Sequence, residues 1–136
     1  MARFRRQAAV IPYRIRKERV EVALVRTSKD NGWIVPKGSV DDDERPRDAA
    51  IREAEEEAGL LGILARKPLG RYRHVKARRQ CRVDVYLMRV TDELEHWLEK
   101  KLRRRRWMRI PDAAASLRRE LRPFVHAVES IVQLDS

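Results

Sequence analysis

The sequence has few residues of several types, and each shortage excludes a class of protein. Its 136 residues include one cysteine, Cys81, so an internal disulfide and a zinc site built from cysteine pairs are both excluded. No run of about 18 apolar residues could span a bilayer as a helix, and the first residues lack the unbroken apolar segment of a secretory signal. We therefore expect a cytoplasmic protein with no membrane partner.

Glycine and proline are also scarce, with five and six residues that are scattered along the chain. No segment has the composition of a linker, a repeat or a low-complexity tract. A chain of this length can bury one sizeable core but has no room for two. We therefore expect residues 1–136 to form a single domain.

Charge is abundant and unevenly distributed. The net charge is +11, yet residues 41–57 hold nine acidic and three basic residues, a net of −6, which leaves +17 on the rest of the chain. A basic body of this kind attracts polyanions and accelerates their association at low salt. It would also favour RNA as a possible partner.

The acidic stretch contains "REAEEEAG" at residues 52–59, with four glutamates within five positions. At about 100° per residue, a helix would gather Glu53, Glu56 and Glu57 on one face, whereas Glu55 would point away. Like charges at these spacings cost about 0.2–0.5 kcal/mol per pair in an isolated helix. The apolar stripe predicted beside them is formed by Ala50, Ile51, Ala54 and Ala58.

Clustered carboxylates have two interpretations. They can form a solvated acidic face, or they can bind a hard divalent cation such as Mg²⁺ or Mn²⁺, which prefers oxygen ligands and commonly bridges carboxylates to substrate phosphates. The flanking residues decide between the two. Gly38 precedes Glu44 by six positions, and Glu44 precedes Arg52 by eight.

Residues 38–60 resemble the Nudix box, G-x5-E-x7-R-E-U-x-E-E-x-G-U, where U is aliphatic. The one departure is Ala54, where the family usually has a larger aliphatic residue, and this affects packing alone. A match at this many fixed spacings is a specific signal. The matching positions are Gly38, Glu44, Arg52, Glu53, Glu56, Glu57, Gly59 and Leu60.

The resemblance implies a role for each of these residues. It implies a catalytic group of Arg52, Glu53, Glu56 and Glu57, and a Mg²⁺ or Mn²⁺ site formed by the three glutamates with the carbonyl of Gly38. It also implies that Arg52 pairs with Glu44 as structural support. Pro46 suits a first helical turn and Gly59 suits the residue after a last turn, so the box is expected to be a loop-helix-loop.

The remaining segments predict an α/β fold. We expect strands at 8–14, 20–26, 33–36, 66–75, 81–90 and 103–110, a short helix around "DAAASL", and a longer helix from Arg122 to Leu134. This order favours a mixed sheet with helices on both faces. It agrees with the α/β/α sandwich that the Nudix resemblance implies.

Two segments narrow the resemblance within the family. "WIVPKGSV" at 33–40 and the acidic, aromatic and then basic stretch at 93–110 are similar to diphosphoinositol polyphosphate and diadenosine polyphosphate phosphohydrolases. The similarity implies a set of phosphate contacts through charge-assisted hydrogen bonds. They are Lys37, Arg5, Arg6, Arg78, Arg105 and Arg122.

We therefore expect a Mg²⁺-dependent pyrophosphohydrolase that acts on a polyanionic small molecule, either a diadenosine polyphosphate or an inositol pyrophosphate. Two enzymatic alternatives are removal of pyrophosphate from RNA 5′ ends and hydrolysis of nucleoside triphosphates. A non-enzymatic alternative is a polyanion-binding module with an idle site. The sequence leaves open the oligomeric state and the identity of the general base.

Overall fold

The computed structural model of the protein describes residues 4–27 and 32–134. None of the helices in these ranges is long and apolar enough to cross a membrane. The elements in chain order are β1 (Arg5–Arg16), β2 (Arg19–Thr27), β3 (Lys37–Ser39), α1 (Pro46–Ala58), β4 (Leu60–Leu64), β5 (Gly70–Lys76), β6 (Arg79–Glu93), β7 (Arg103–Arg109), α2 (Ile110–Ser116), a 3₁₀ turn (Arg119–Leu121) and α3 (Arg122–Leu134).

The strands form one mixed sheet in the order β4-β6-β1-β2-β7. The central pair, β1 and β6, is parallel, and the other pairs are antiparallel. Strand β3 pairs with the first half of β1, with Gly38 opposite Ala8 and Lys37 opposite Ala9. This pairing places the start of the box at the margin of the sheet.

Alternating residues of the central strands form separate cores on the two faces of the sheet, as strand geometry requires. Helices α2 and α3 cover one face, where Ala9 and Ile11 pack against Val125 and Val128. Helix α1 covers the other face, where its alanines pack against β1 and β6. The predicted α/β/α sandwich is confirmed.

Helix α1 begins with Pro46 at its first turn and ends at Gly59, whose φ of 64° is left-handed. Both boundaries follow the predicted loop-helix-loop. The buried apolar residues of α1 are four alanines, and small side chains let the helix lie close to the sheet. The prediction that Ile51 belongs to this stripe is wrong, since its side chain is 36% exposed.

Two predictions about strands also fail. Residues 33–36 form no strand: Ile34 makes one isolated bridge to Val25, and the strand follows at Lys37–Ser39. Strand β4, directly after Gly59, is not among the predicted elements. Its sequence, "LLGIL", lacks the alternation of polar and apolar residues that signals a half-buried strand. It forms a short edge strand directly after the helix.

Candidate active site

The first contact of the site joins β3 to α1. Gly38 lies against the carboxylate of Glu53, and a Cβ atom at this position would overlap Oε1 of that glutamate. Opposite Gly38 across the strands is Ala8, on the sheet face that α1 covers. A glycine is therefore required here, because only a residue without a Cβ leaves room for the Glu53 carboxylate.

Arg52 holds the loop to the helix. Its Nε and Nη2 atoms donate to both carboxylate oxygens of Glu44 at 2.9 Å each, and Nη2 also donates to the Ser39 carbonyl oxygen at 3.0 Å. The fork pairs with Glu44, as the resemblance implies. Hydrogen bonds from Arg52 lower the pKa of Glu44, and the same bonds raise the pKa of Arg52.

Glu57 is the most enclosed of the three glutamates, with 4% of its surface exposed. Its Oε2 accepts a hydrogen bond from the Lys37 backbone N–H at 3.1 Å, and its Oε1 lies 3.7 Å from Nη2 of Arg103. Burial raises the pKa of Glu57 to about 8, Arg103 opposes the rise, and the neighbouring Glu53 adds to it. Without a cation, the buried Glu57 therefore favours its protonated form at neutral pH.

The glutamates are arranged around an arginine. Nη1 of Arg52 lies 2.8 Å from Glu53 Oε1 and 3.4 Å from Glu56 Oε2. Within residues 4–27 and 32–134, no group of three His, Cys, Asp or Glu side chains is already arranged to bind a metal ion. Arg52 thus contacts two of the three glutamates.

The chemistry of these residues nevertheless fits a divalent cation. All the side-chain donors are carboxylate oxygens, which Mg²⁺ and Mn²⁺ prefer. Glu53 beside the buried Glu57 raises the pKa of Glu57, and a bound cation would favour the ionised form of both carboxylates. Glu56 is partly exposed, so its carboxylate has room to turn towards the other two. Glu53, Glu56, Glu57 and the Gly38 carbonyl are thus the residues that could hold the ion.

A basic cluster lies on the sheet face opposite α1, next to the same margin. The side chain of Lys37 is partly buried there, and burial, followed by the nearby charges of Lys76 and Arg118, lowers its pKa. His74 belongs to the same cluster, where its Nε2 lies 2.9 Å from the Gln7 side-chain oxygen. Burial is also the main reason that the pKa of His74 is lowered.

We call Lys37, His74, Lys76 and Arg118 the basic cluster. Lys37 connects it to the carboxylates, because its backbone N–H binds Glu57 while its ammonium group lies with the other cations. Apart from Lys37, none of these residues was predicted as a site residue. Alternation along β5 could have placed His74 and Lys76 on one face, but no local signal brings Arg118 to them.

The other predicted phosphate contacts are dispersed. Arg5 precedes Gln7 by two residues in β1 and so faces the side of the basic cluster, whereas Arg6 faces the α1 side. Both line a cavity of about 380 Å³ together with residues 39–42. Arg78 lies in the two-residue turn between β5 and β6, and Arg122 begins α3, where its Nε donates to the Leu117 carbonyl oxygen.

Arg105 requires a correction. It is predicted as a phosphate contact, but its guanidinium lies 4.5 Å from the centre of the Trp97 ring and donates to the Ala58 carbonyl oxygen at 2.7 Å. Further contacts reach the carbonyls of Gly59 and Leu94. A guanidinium with its donors engaged at the end of a helix is a structural brace, and burial lowers its pKa.

The sequence profile of the NUDIX domain matches residues 3–128. The match covers nearly the whole chain and includes the loop-helix-loop that carries the glutamates. The chain therefore belongs to the Nudix hydrolase family, and the predicted resemblance is confirmed.

Individual relatives agree with this membership. The chain is 34% identical to Nudix hydrolase 12, mitochondrial, of Arabidopsis thaliana over 93% of its own length and 75% of that protein. It is 39% identical to diphosphoinositol polyphosphate phosphohydrolase 3-beta of Bos taurus over 81% of its own length and 67% of that protein. It spans only 58% and 59% of two further Arabidopsis Nudix hydrolases, numbers 4 and 16.

Among solved structures, the fold is similar to an Ap4A hydrolase of C. elegans in a binary complex. The TM-score is 0.83 at 21% identity, and the alignment covers 95% of this chain and 98% of the other. At this level of identity the likeness concerns the fold, and it supports the same arrangement of sheet and helices.

Replacing Gly38 with Ala tests whether activity depends on the close approach of Gly38 to the Glu53 carboxylate or only on a stable loop. Because the new Cβ would displace the Glu53 carboxylate, we expect hydrolysis to fall by about 100-fold, the usual cost of moving a reacting group by about 1 Å. The matched control is Ser39→Ala, whose backbone carbonyl still accepts from Arg52. Steady-state kinetics of both variants provide the measurement, and equal activities would contradict the prediction.

The raised pKa of Glu57 predicts a pH effect on the metal-free protein. Its pKa rises from 4.5 to about 8 on folding, so between these values the folded state holds a proton that the unfolded state has lost. The free energy of unfolding therefore falls as pH rises through this range. With chelator present, we expect Glu57→Gln to be more stable than wild type at about pH 8.5, and the difference to shrink towards about pH 5.

Urea unfolding at both pH values measures this effect. The matched control is Glu55→Gln on the same helix, where the side chain is exposed. Parallel stability curves for wild type and Glu57→Gln would show that Glu57 titrates normally.

Proposed function

We propose that the protein is a Mg²⁺- or Mn²⁺-dependent pyrophosphohydrolase that cleaves a phosphoanhydride bond in a highly phosphorylated small molecule. An inositol pyrophosphate or a diadenosine polyphosphate is the proposed substrate class. The observation that carries the proposal is the position of Lys37, which contacts the buried carboxylate of Glu57 through its backbone and the basic cluster through its side chain.

The proposed chemistry divides the roles among these residues. A divalent ion, when bound, supplies a nucleophilic water at neutral pH and neutralises charge on the phosphates. Glu53, Glu56, Glu57 and the Gly38 carbonyl would hold the ion. Arg52 keeps the loop and the helix together through Glu44, and the Lys37 N–H fixes the direction of the Glu57 carboxylate.

The substrate class follows from charge. Lys37 lies beside the cations of Lys76 and Arg118, while Glu57 acts on Lys37 and Glu120 acts on the His74 and Tyr72 side chains. Such a cluster attracts a substrate with several phosphates more strongly than a substrate with one. The likeness to diphosphoinositol polyphosphate phosphohydrolase 3-beta supports the same class.

Three other functions are compatible with parts of this site. RNA 5′-pyrophosphohydrolase activity would also use the basic surface, and nucleoside triphosphate hydrolysis would use the same carboxylates. A polyanion-binding module with an idle site would need the basic cluster alone. The retention of all three glutamates, two of them buried at the cost of repulsion, favours an enzyme.

The first test is product analysis with a panel of an inositol pyrophosphate, a diadenosine polyphosphate, a nucleoside triphosphate and triphosphorylated RNA. We expect hydrolysis of one of the first two, dependent on added Mg²⁺ or Mn²⁺ and abolished by chelator. Glu56→Gln should lower kcat by at least about 100-fold because it removes a charge from the metal site. Glu55→Gln on the exposed side of α1 should retain wild-type activity.

Several outcomes would overturn parts of this proposal. Hydrolysis of RNA alone would replace the substrate class, while full activity in chelator would exclude a role for the ion. Binding of the panel without turnover, and with no effect of Glu56→Gln, would indicate a binding module.

The basic cluster predicts a dependence on substrate charge. Lys76→Glu should raise the KM of the most highly phosphorylated substrate by about 10-fold and weaken the dependence of kcat/KM on salt, because fewer favourable charges remain to be screened. A nucleoside diphosphate sugar should be affected much less. Arg16→Glu makes the same change in net charge at the far end of β1, about 23 Å from the residue that faces Lys37.

The ratio of kcat/KM between the two substrates is the decisive quantity. If Arg16→Glu changes this ratio as much as Lys76→Glu does, the overall charge attracts the substrate and the basic cluster has no particular role.

A further inference from the structure

The end of α1 is enclosed by a segment whose residues lie 35 to 47 positions further along the chain than their partners. The last carbonyls of a helix lack partners within it, yet here four successive carbonyls accept hydrogen bonds from residues 94–105, which we call the capping segment. The pairs are Glu99 N to Glu56 O (3.0 Å), Trp97 Nε1 to Glu57 O (3.0 Å), Arg105 Nη1 to Ala58 O (2.7 Å) and Leu94 N to Gly59 O (2.9 Å).

Trp97 is at the centre of this arrangement. Its ring lies so close to Gly59 that a Cβ there would be 2.6 Å from the ring atoms. The Arg105 guanidinium lies 4.5 Å from the ring centre and the Lys100 ammonium 5.5 Å. With these neighbours the indole has one orientation, and its N–H is directed at the carbonyl oxygen of Glu57.

The capping segment also reaches the side chain of Glu57. Arg103 donates from Nε to Glu99 at 2.8 Å and places Nη2 3.7 Å from Glu57 Oε1. Its Nη1 is buried and has no hydrogen-bond partner in the described part of the chain. Arg103 is therefore held between two carboxylates, and Glu57 is contacted from one segment at both its carbonyl and its carboxylate.

This arrangement addresses a weakness of the helix. Helix ends fray, and Glu56 and Glu57 lie in the last turn of α1, where repulsion from Glu53 favours opening. A fixed last turn keeps both side chains directed at the same point. We infer that Trp97 is a positioning residue, which acts through the Glu57 carbonyl to fix the turn that carries these two glutamates.

The inference rests on the proposed metal-dependent function, and the experiment separates the two. Trp97→Phe keeps a ring between Gly59 and Arg105 but removes the N–H donor. The matched control is Trp107→Phe, since Trp107 also donates its indole N–H, to Glu93 at 2.8 Å, and also has a guanidinium over its ring, that of Arg14 at 4.1 Å. Both variants should lose similar thermal stability.

Two measurements distinguish positioning from stability: the Mn²⁺ dissociation constant, from electron paramagnetic resonance without substrate, and the separate values of kcat and KM. For Trp97→Phe we expect a dissociation constant raised by about 10-fold and kcat lowered by about 10-fold, with KM within about 2-fold of wild type, as for residues that orient metal ligands. Trp107→Phe should change none of the three by more than about 2-fold.

If Trp97→Phe does not fold, Arg105→Met provides the same test, because it removes the donor to the next carbonyl and retains an unbranched stem. Equal values for the Trp97 or Arg105 variant and the Trp107 control would overturn the inference and leave the capping segment a stabilising element. A wild-type protein that binds no Mn²⁺ would overturn the metal-dependent function itself, and the inference with it.

Discussion

The repulsion among three glutamates on one helical face is the constraint on which the rest of the structure depends. Glu53 and Glu57 are almost fully buried beside each other, where water cannot screen a second charge, so the pKa of Glu57 rises to about 8. Each is stabilised by a different neighbour: Arg52 donates to Glu53, and the Lys37 N–H donates to Glu57. The contacts from Arg52 and from the Lys37 N–H thus hold the loop to the helix and offset the repulsion between the glutamates.

Much of this unit could be predicted because its spacing is local. Glu53, Glu56 and Glu57 belong to one helix, whose geometry alone brings them together. Pro46 and Gly59 fix where that helix begins and ends, and both occupy the expected positions. The ion pair between Arg52 and Glu44 joins residues only eight positions apart, so it could be predicted once the loop was expected to fold back on the helix.

The partners contributed from distant segments could not be predicted from local patterns. Arg103 and Trp97 reach Glu57 across 46 and 40 positions, and Arg118, which lies near Lys37, follows the end of α2. Within "RRRR" at 103–106, alternation places Arg103 and Arg105 on the same face of β7. Whether such a residue meets a phosphate or a helix end depends on the packing of α1, so the role predicted for Arg105 failed while the strand itself was correct.

The separation of the two charged regions explains how one site could accept both a cation and a polyanion. Opposite charges within about 4 Å dominate the local energy, whereas charges beyond about 8 Å are largely screened at physiological salt. The carboxylates near Gly38 would therefore determine whether an ion binds, despite the excess of +17 outside residues 41–57. A highly phosphorylated molecule would be attracted by the nearby Lys37, Lys76 and Arg118 in proportion to its own charge, whereas the distant basic residues are screened and would repel a divalent ion only weakly. Lys37, with its N–H on Glu57 and its ammonium in the basic cluster, is where these two requirements meet.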